Sequence, residues 1–330
     1  MRNKFYMVLA AWAFCALTAE VCAQQILRLG SIVAPASVQA QAMDRFADNV
    51  KKKNIGIDIR TFHSSQLGGG PDQVRNVQLG VQDMFMDGMV FWSDFSDDMR
   101  IAETPFSFAS RAHFEKWVQS ASFGKIQNDI MTKGNQRIIN RGVMWRRGPF
   151  RVLVATKPAL NLEDFSSLRL RVWQSEVITR FYGKQGLGAT PVVLPLGDVF
   201  IAMRQGVVNG LTLPFDLVQS MKFNEVASHV MLWDEFWQVL PMSINERKWQ
   251  ALSEAQRLAI TESVDEAGNW YNEQLAKSVE QWKADLVKSG ATLHNVDRTP
   301  FVARIAERNR QWQKEGYWRP GLIDEIESLR

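Results

Sequence analysis

Apolar residues along the chain alternate between the period of a strand and the period of a helix. Residues Ile26–Ser31 and Ile55–Thr61 are predicted strands, and the apolar positions of Gln39–Lys53 between them have the three-to-four spacing of a helix. A strand, helix, strand unit produces a pair of parallel strands. The pattern then recurs, with helices predicted at Pro71–Leu79, Arg111–Ser120, Ser122–Lys133, Ser175–Lys184 and Leu196–Gln205 and a strand at Gln136–Trp145. The alternation predicts an α/β architecture with mostly parallel sheets.

A long helix is predicted in the last third of the chain. Ser253 and Gln256 form a capping box, and apolar residues then recur at steps of three or four until Gly290. At about 1.5 Å per residue such a helix is about 50 Å long. Because this length exceeds the width of one domain, the helix is expected to lie across two.

The first residues have the pattern of an exported protein. Two positive charges in Met1–Lys4 precede the apolar run Phe5–Ala19, and small residues follow in Val21-Cys22-Ala23. This order predicts a cleavable signal peptide at residues 1–23. Two alternatives remain. One is a membrane anchor, for which the apolar run is short, and the other is a lipoprotein attached through Cys22, against which the bulky Val21 argues.

Composition and motifs exclude several kinds of chemistry. Both cysteines lie in the predicted signal peptide, so the exported chain would have no disulfide, thiolate metal site or cysteine nucleophile. The formal net charge is +4, and no basic patch with interleaved aromatic residues indicates a nucleic-acid partner. The four histidines lack the spacing of a zinc site, and no P-loop, dinucleotide fingerprint or G-x-S-x-G motif is present. No catalytic residue, metal or cofactor is therefore predicted.

One predicted strand carries a positive charge on a face that a sheet would bury. In the stretch SSLRLRVWQS, Leu170 and Val172 fall on one side, whereas Arg169, Arg171 and Trp173 fall on the other. A partly desolvated guanidinium is tolerable only when it is paired, and its donors match the two oxygens of a carboxylate. The partner of Arg171 is thus either an acid of the protein interior, in a structural ion pair, or a bound carboxylate.

The segment around Arg171 resembles one family of proteins. The stretches NLEDFSSLRLRVWQ, GATPVVLPLGDVF and GVVNG are similar to the signature of solute-binding proteins of tripartite ATP-independent periplasmic (TRAP) transporters, of the dicarboxylate-binding, DctP-like type. FHSSQLGGG, VQLGVQDM, ETPFSF and NERKWQAL match that family in the same order. The resemblance covers roughly residues 26–320.

The resemblance implies a two-lobed α/β periplasmic binding protein fold with a long helix spanning both lobes. Lobe I is expected at residues 24–148, completed by about 239–270, and lobe II at 149–238, completed by about 271–330. The implied function is that of a periplasmic receptor that captures an organic acid through its carboxylate and delivers it to the small and large membrane subunits of a transporter.

Site residues follow from the same resemblance. Arg171 matches the arginine that forms a two-pronged salt bridge with the ligand carboxylate in the family, and Arg151 matches a second arginine of the cleft. The alternative for Arg151 is an exposed arginine on an edge strand. The other ligand-binding candidates are Trp173, Asp87, Leu213, Phe215, Asp216 and Trp237.

Two departures from the family pattern bear on the ligand. Leu213 stands where the family has an asparagine that hydrogen-bonds the ligand, and Trp173 stands where a proline is common. Loss of an amide and gain of an indole indicate a more apolar pocket, although Trp173 could serve packing alone. A less hydroxylated acid is therefore favoured over a sugar acid.

Two other functions are compatible with the same residues. A receptor that signals to a chemoreceptor or sensor kinase would have the same pocket with a different partner. A periplasmic enzyme acting on a carboxylate substrate is a further alternative, although no nucleophile, metal or cofactor is indicated. A receptor returns its ligand unchanged, whereas an enzyme would turn it over.

Overall fold

The structure is a computed structural model that describes residues 24–330. The predicted signal peptide therefore lies outside the described residues. The strands are β1 (Gln25–Gly30), β2 (Ile57–Phe62), β3 (Met84–Met86), β4 (Gln136–Ile138), β5 (Trp145–Arg146), β6 (Arg151–Ala155), β7 (Arg169–Val172), β8 (Thr190–Val193), β9 (Gly210–Pro214), β10 (His229–Leu232), β11 (Val239–Leu240), β12 (Met242–Asn245) and β13 (Thr292–Asn295).

The predicted α-helices begin and end close to the predicted positions, and four further helices, α7, α8, α10 and α11, had no predicted counterpart. They are α1 (Val38–Lys52), α2 (Gly70–Leu79), α3 (Arg111–Val118), α4 (Ala121–Gly134), α5 (Glu176–Tyr182), α6 (Val199–Arg204), α7 (Asp216–Ser220), α8 (Glu246–Ala251), α9 (Glu254–Lys288), α10 (Thr299–Lys314) and α11 (Leu322–Glu327). Short 3-10 helices lie at Met89–Phe95, Asp97–Glu103, Glu163–Ser167, Leu196–Asp198 and Phe223–Glu225. Among the described residues, no helix combines the length and apolar character needed to cross a membrane.

The strands form two main sheets and one small ladder. The first sheet has the order β2-β1-β3-β12-β4, and the second has the order β13-β10-β6-β9-β7-β8. β5 and β11 pair with each other where the chain passes between the two sheets. Each main sheet is covered by helices, which gives the expected two-lobed α/β architecture.

The prediction of mostly parallel sheets holds by a small margin: five of the nine strand pairs in the two main sheets are parallel, and four are antiparallel. β1 pairs in parallel with β2 and β3, but β12 is antiparallel to both β3 and β4. In the second sheet β6 is antiparallel to β9 and to β10. The antiparallel pairs follow from how the chain is connected. Two segments, residues 139–150 and 233–241, cross between the two sheets and are called the crossing segments here. β6 and β12 follow them directly and run opposite to the strands that are linked by helices within one sheet.

The predicted strand Gln136–Trp145 is also interrupted. β4 ends at Ile138 and β5 begins at Trp145. Between them the Asn140 amide donates to the carbonyl of Leu240 at 2.8 Å and accepts from the amide of Met242 at 2.8 Å. The side chain of Asn140 therefore replaces the backbone hydrogen bonds between strands at the point where this segment leaves the first sheet.

The prediction of one long helix is confirmed. α9 has 35 residues and begins with the capping box of Ser253 and Gln256. It contacts α1 beside the first sheet, α7 beside the second and β5 between them. Near its middle, a side chain at Gly268 would place its Cβ 2.3 Å from Nε1 of Trp145 in β5. The glycine thus lets the crossing strand lie directly against the helix.

A candidate ligand-binding cleft between the two sheets

A cavity lies where the two sheets face each other, and its empty volume of about 410 Å³ includes space open to solvent. The first sheet contributes residues just after β1 and β3, and the second contributes the ends of β6, β7 and β9. In open α/β sheets this strand-end position is the usual place for a ligand. The lining residues are Ile32, Val90, Phe91, Arg147, Arg151, Arg171, Trp173, Leu196, Thr212, Leu213, Pro214, Leu217 and Gln238.

Arg171 lies on an inner strand and reaches the cavity. β7 is bracketed by β8 and β9, with Arg171 in register with Val192 and Leu211. Only 7% of the residue is exposed, and its Nε donates to the carbonyl of Leu194 at 2.9 Å. None of the ion pairs within residues 24–330 includes Arg171. The structural ion pair that was the alternative for this residue is therefore not formed.

The surroundings of Arg171 disfavour its charge. Burial is the largest effect and the nearby charges of Arg151 and Arg147 add to it, and together they lower the pKa of Arg171 to about 9. A buried cation with no acid beside it is costly. An anion bound in the cavity would remove that cost, so the site favours a negatively charged ligand.

Arg151 is held in a network within the protein. Its Nε donates to Oε1 of Glu235 at 2.9 Å, and its guanidinium also donates to the hydroxyl of Thr212 at 3.0 Å. Tyr182 donates its hydroxyl to the other oxygen of Glu235 at 2.6 Å. Only 4% of Arg151 is exposed, and β6 is an inner strand, so the alternative of an exposed edge-strand arginine is wrong. The role of structural ion pair belongs to this residue.

The third arginine of the cleft comes from the crossing segment. Arg147 follows β5, its backbone amide donates to the carbonyl of Gln238 at 2.9 Å, and its guanidinium pairs with the carboxylate of Asp87. Asp87 is fully buried, and its Oδ1 also accepts from the amide of Gly88 at 2.7 Å. The pair joins the loop after β3 to the crossing segment.

The rest of the cavity wall is largely apolar. Leu213 lines it, as does Trp173, whose ring also packs on Arg151 with 5.2 Å between the guanidinium carbon and the ring centroid. A second cavity, whose empty volume of about 700 Å³ includes space open to solvent, adjoins the first and shares Phe91, Arg171 and Trp173 with it. Gln238 adds an amide to the wall whose Nε2 has no hydrogen-bond partner among the described residues.

The remaining predicted site residues are not among those that line the cavity. Asp87 reaches it only through Arg147, and Phe215 is buried in a stack with Phe150, the ring centroids 4.8 Å apart. Asp216 is buried behind the wall, where burial raises its pKa to about 6. Trp237 lines a different surface cavity together with Arg111 and Lys283.

Several residues of the cleft were not found from the sequence. Arg147, Thr212 and Gln238 belong to the wall but match no motif, and only the polar position of Thr212 within an apolar strand was a usable signal. The structure also brings together His229 and His294, whose ring nitrogens lie 3.0 Å apart across β10 and β13. No group of three or more potential metal ligands occurs among residues 24–330.

Comparison with known proteins assigns the family. The family model described as DctP, bacterial extracellular solute-binding protein family 7, matches residues 29–315. The chain belongs to this family. The resemblance predicted from the motifs around Arg171 is thereby confirmed, and the match includes every strand from β2 to β13.

Curated members of the DctP family align over nearly the whole chain. A solute-binding protein of Verminephrobacter eiseniae is 26% identical over 90% of this chain and 88% of its own length. The 2,3-diketo-L-gulonate-binding periplasmic protein YiaO of Escherichia coli is 24% identical over 94% of this chain and 93% of its own.

A solved structure has the same fold. A TRAP periplasmic solute-binding protein of Polaromonas, bound to D-erythronate, superimposes with a TM-score of 0.82 at 24% identity, covering 92% of this chain and 98% of its own.

Proposed function

We propose that this chain is the periplasmic receptor of a TRAP transporter and that it binds an organic acid through Arg171. The observation that carries the proposal is a buried guanidinium that lines the cavity between the two sheets and has no ion pair with an acid of the described residues. Of the relatives described above, one is named for binding 2,3-diketo-L-gulonate and one was solved with D-erythronate, and both of these ligands are carboxylates. Residues 1–23 would direct export and be removed.

In the proposed mechanism, two lobes close on the ligand. Lobe I comprises residues 24–148 with about 239–270, and lobe II comprises 149–238 with about 271–330. The carboxylate pairs with Arg171 in lobe II, and closure brings Phe91 of lobe I over it while β5 and β11 act as the hinge. Closure excludes water, which strengthens the ion pair, and the small and large membrane subunits would recognise the closed form.

The proposed receptor performs no catalysis and needs no cofactor. Its binding energy would come from the paired guanidinium and the apolar wall, and the acid would leave unchanged. Incubation with a bound acid followed by NMR of the released ligand tests this point. Recovery of the intact acid is expected, whereas a converted product would identify an enzyme.

The decisive test is a thermal-shift screen of residues 24–330 against organic acids. A ligand at 100 times its dissociation constant adds about 2.7 kcal/mol to the free energy of unfolding. The matched variants are Arg171→Met and Arg169→Met, because Arg169 lies two residues away on the same face of the strand but is exposed, at the first residue of β7. We expect the shift to be lost in the first variant and kept in the second. A shift that survives Arg171→Met would contradict the proposed anchor.

A further inference from the structure

The charges around the cleft leave one positive charge without a partner. Three arginines line the cavity, but Asp87 pairs with Arg147 and Glu235 pairs with Arg151. No lysine or histidine is among the lining residues. Other acids lie close by, with Asp216 behind the wall, Glu103 beside Trp173 and Asp72 on the wall of the second cavity, but none of the three forms an ion pair with Arg171. One anionic group therefore suffices to complete the site.

A second carboxylate would have no cation to meet. Beyond Arg171 the wall consists mainly of apolar side chains, among them Phe91, Leu196, Leu213 and Leu217. An ionised carboxylate buried against such a surface loses its hydration without compensation. Recruiting Arg147 would not help, because Asp87 is fully buried and would then become the unpaired charge.

The wall does offer hydrogen bonds to a neutral group. Gln238 is 4% exposed, lines the cavity and leaves its Nε2 without a partner among the described residues. A buried donor of this kind is costly unless a ligand atom completes it. A keto, hydroxyl or amide oxygen on the ligand would do so without adding charge.

We infer that the cleft selects monocarboxylates with a mostly apolar skeleton and one neutral oxygen, and that it excludes dicarboxylates. The inference rests on the proposed function, since it takes Arg171 as the anchor of the single carboxylate. The selectivity comes from the pairing of Arg147 by Asp87, and Gln238 places the neutral oxygen.

Isothermal titration calorimetry with matched acids tests the inference. One set comprises pentanoate, 4-oxopentanoate, glutaramate and glutarate, which share five carbons and differ in the far group. Two further sets carry the same far groups on longer acids, one with eight carbons and one with a phenyl ring between the carboxylate and the far group. In the set whose length fits, we expect the neutral-oxygen monoacid to bind about 100-fold more tightly than the dicarboxylate, because the second charge is buried unpaired. Equal or tighter binding of the dicarboxylate would overturn the inference.

Two substitutions separate the contributions. Asp87→Asn keeps the shape and the oxygen that accepts from Gly88 but frees the charge of Arg147, so dicarboxylate binding should improve at least about 10-fold relative to the monoacid. Gln238→Met keeps the volume and removes the amide, so the preference of 4-oxopentanoate over pentanoate, or of its longer counterpart, should disappear. An unchanged preference in both variants would assign the selectivity to other residues and contradict the inference.

Failure of the inference differs from failure of the proposed function. If dicarboxylates and monoacids bind alike, and both lose binding in Arg171→Met, the anchor stands and only the selectivity is wrong. If no acid of any set binds, or if binding persists in Arg171→Met, the anchor itself is wrong and the inference fails with it.

Discussion

Arg151 and Arg171 lie two strands apart in one sheet and have nearly equal exposure, yet their surroundings are opposite. Arg151 is 4% exposed and bonds to Glu235 and Thr212, whereas Arg171 is 7% exposed and bonds only to the backbone carbonyl of Leu194. Both face the same cavity. The difference is that the charge of Arg151 is paired with an acid of the protein and the charge of Arg171 is not. Under the proposed function, stability and ligand binding therefore depend on different arginines.

The largest effect on the free energy of unfolding should come from removing Arg151, whose charge is paired with Glu235. Arg151→Met leaves Glu235 buried with only Tyr182 and Thr212 beside it, and breaking a buried pair in this way costs about 3–5 kcal/mol. We expect the midpoint of urea unfolding to fall accordingly. Arg151→Met combined with Glu235→Gln removes both charges and should recover most of the loss. A single variant as stable as the parent would remove the distinction between the two arginines.

Removing the unpaired charge of Arg171 should change the free energy of unfolding in the opposite direction. Arg171→Met replaces a buried guanidinium that has no acid partner with an apolar side chain of similar length, so the unliganded protein should gain about 1–3 kcal/mol. The same urea unfolding experiment measures it, with Arg169→Met as the exposed control. Destabilisation by Arg171→Met would mean that this guanidinium has a structural role in the empty protein.

A buried acid tests the same rule at smaller scale. Glu103 lies beside Trp173 and Ser175, its Oε1 has no hydrogen-bond partner within residues 24–330, and burial raises its pKa to about 8. The folded state therefore holds the proton up to about pH 8, whereas the ordinary value is 4.5. Its contribution to stability is full below pH 4.5 and is lost as the pH rises toward 8.

Glu103→Gln should remove that dependence. The neutral amide keeps the shape, so we expect the variant to gain on the order of 2 kcal/mol at pH 8 and little at pH 5. Thermal unfolding across this range measures the change, with Glu307→Gln on the exposed face of α10 as the control. An equal gain at both pH values would mean that ionisation of Glu103 is not the cause.

Local patterns predicted much of the fold. The capping box of Ser253 and Gln256 and the apolar steps after it were enough for α9, because helix ends and helix faces depend on residues a few positions apart. The alternation through Arg169 and Trp173 placed β7 and the side chain of Arg171 correctly. The directions of β6 and β12 could not be predicted from these patterns. Both strands are antiparallel to their neighbours because of where the chain crosses between the two sheets.

The ion pairs of the cleft could not be predicted from local sequence patterns. Arg151 and Glu235 are 84 positions apart, and Arg147 and Asp87 are 60 apart. No spacing rule joins residues at such distances, so the sequence offered three similar guanidinium groups with no means of telling which had partners. The exposed position expected as an alternative for Arg151 was wrong for this reason.

Residues close together along the chain encode the α/β alternation, the long helix, the family and the strand that carries Arg171, so these features could be predicted. The folded chain alone reveals which arginine is left without an acid, which polar groups share its cavity and which predicted residues, such as Trp237, lie elsewhere. Charge pairing and burial depend on distances in space, and folding sets those distances by bringing together segments from both sheets and from the crossings between them.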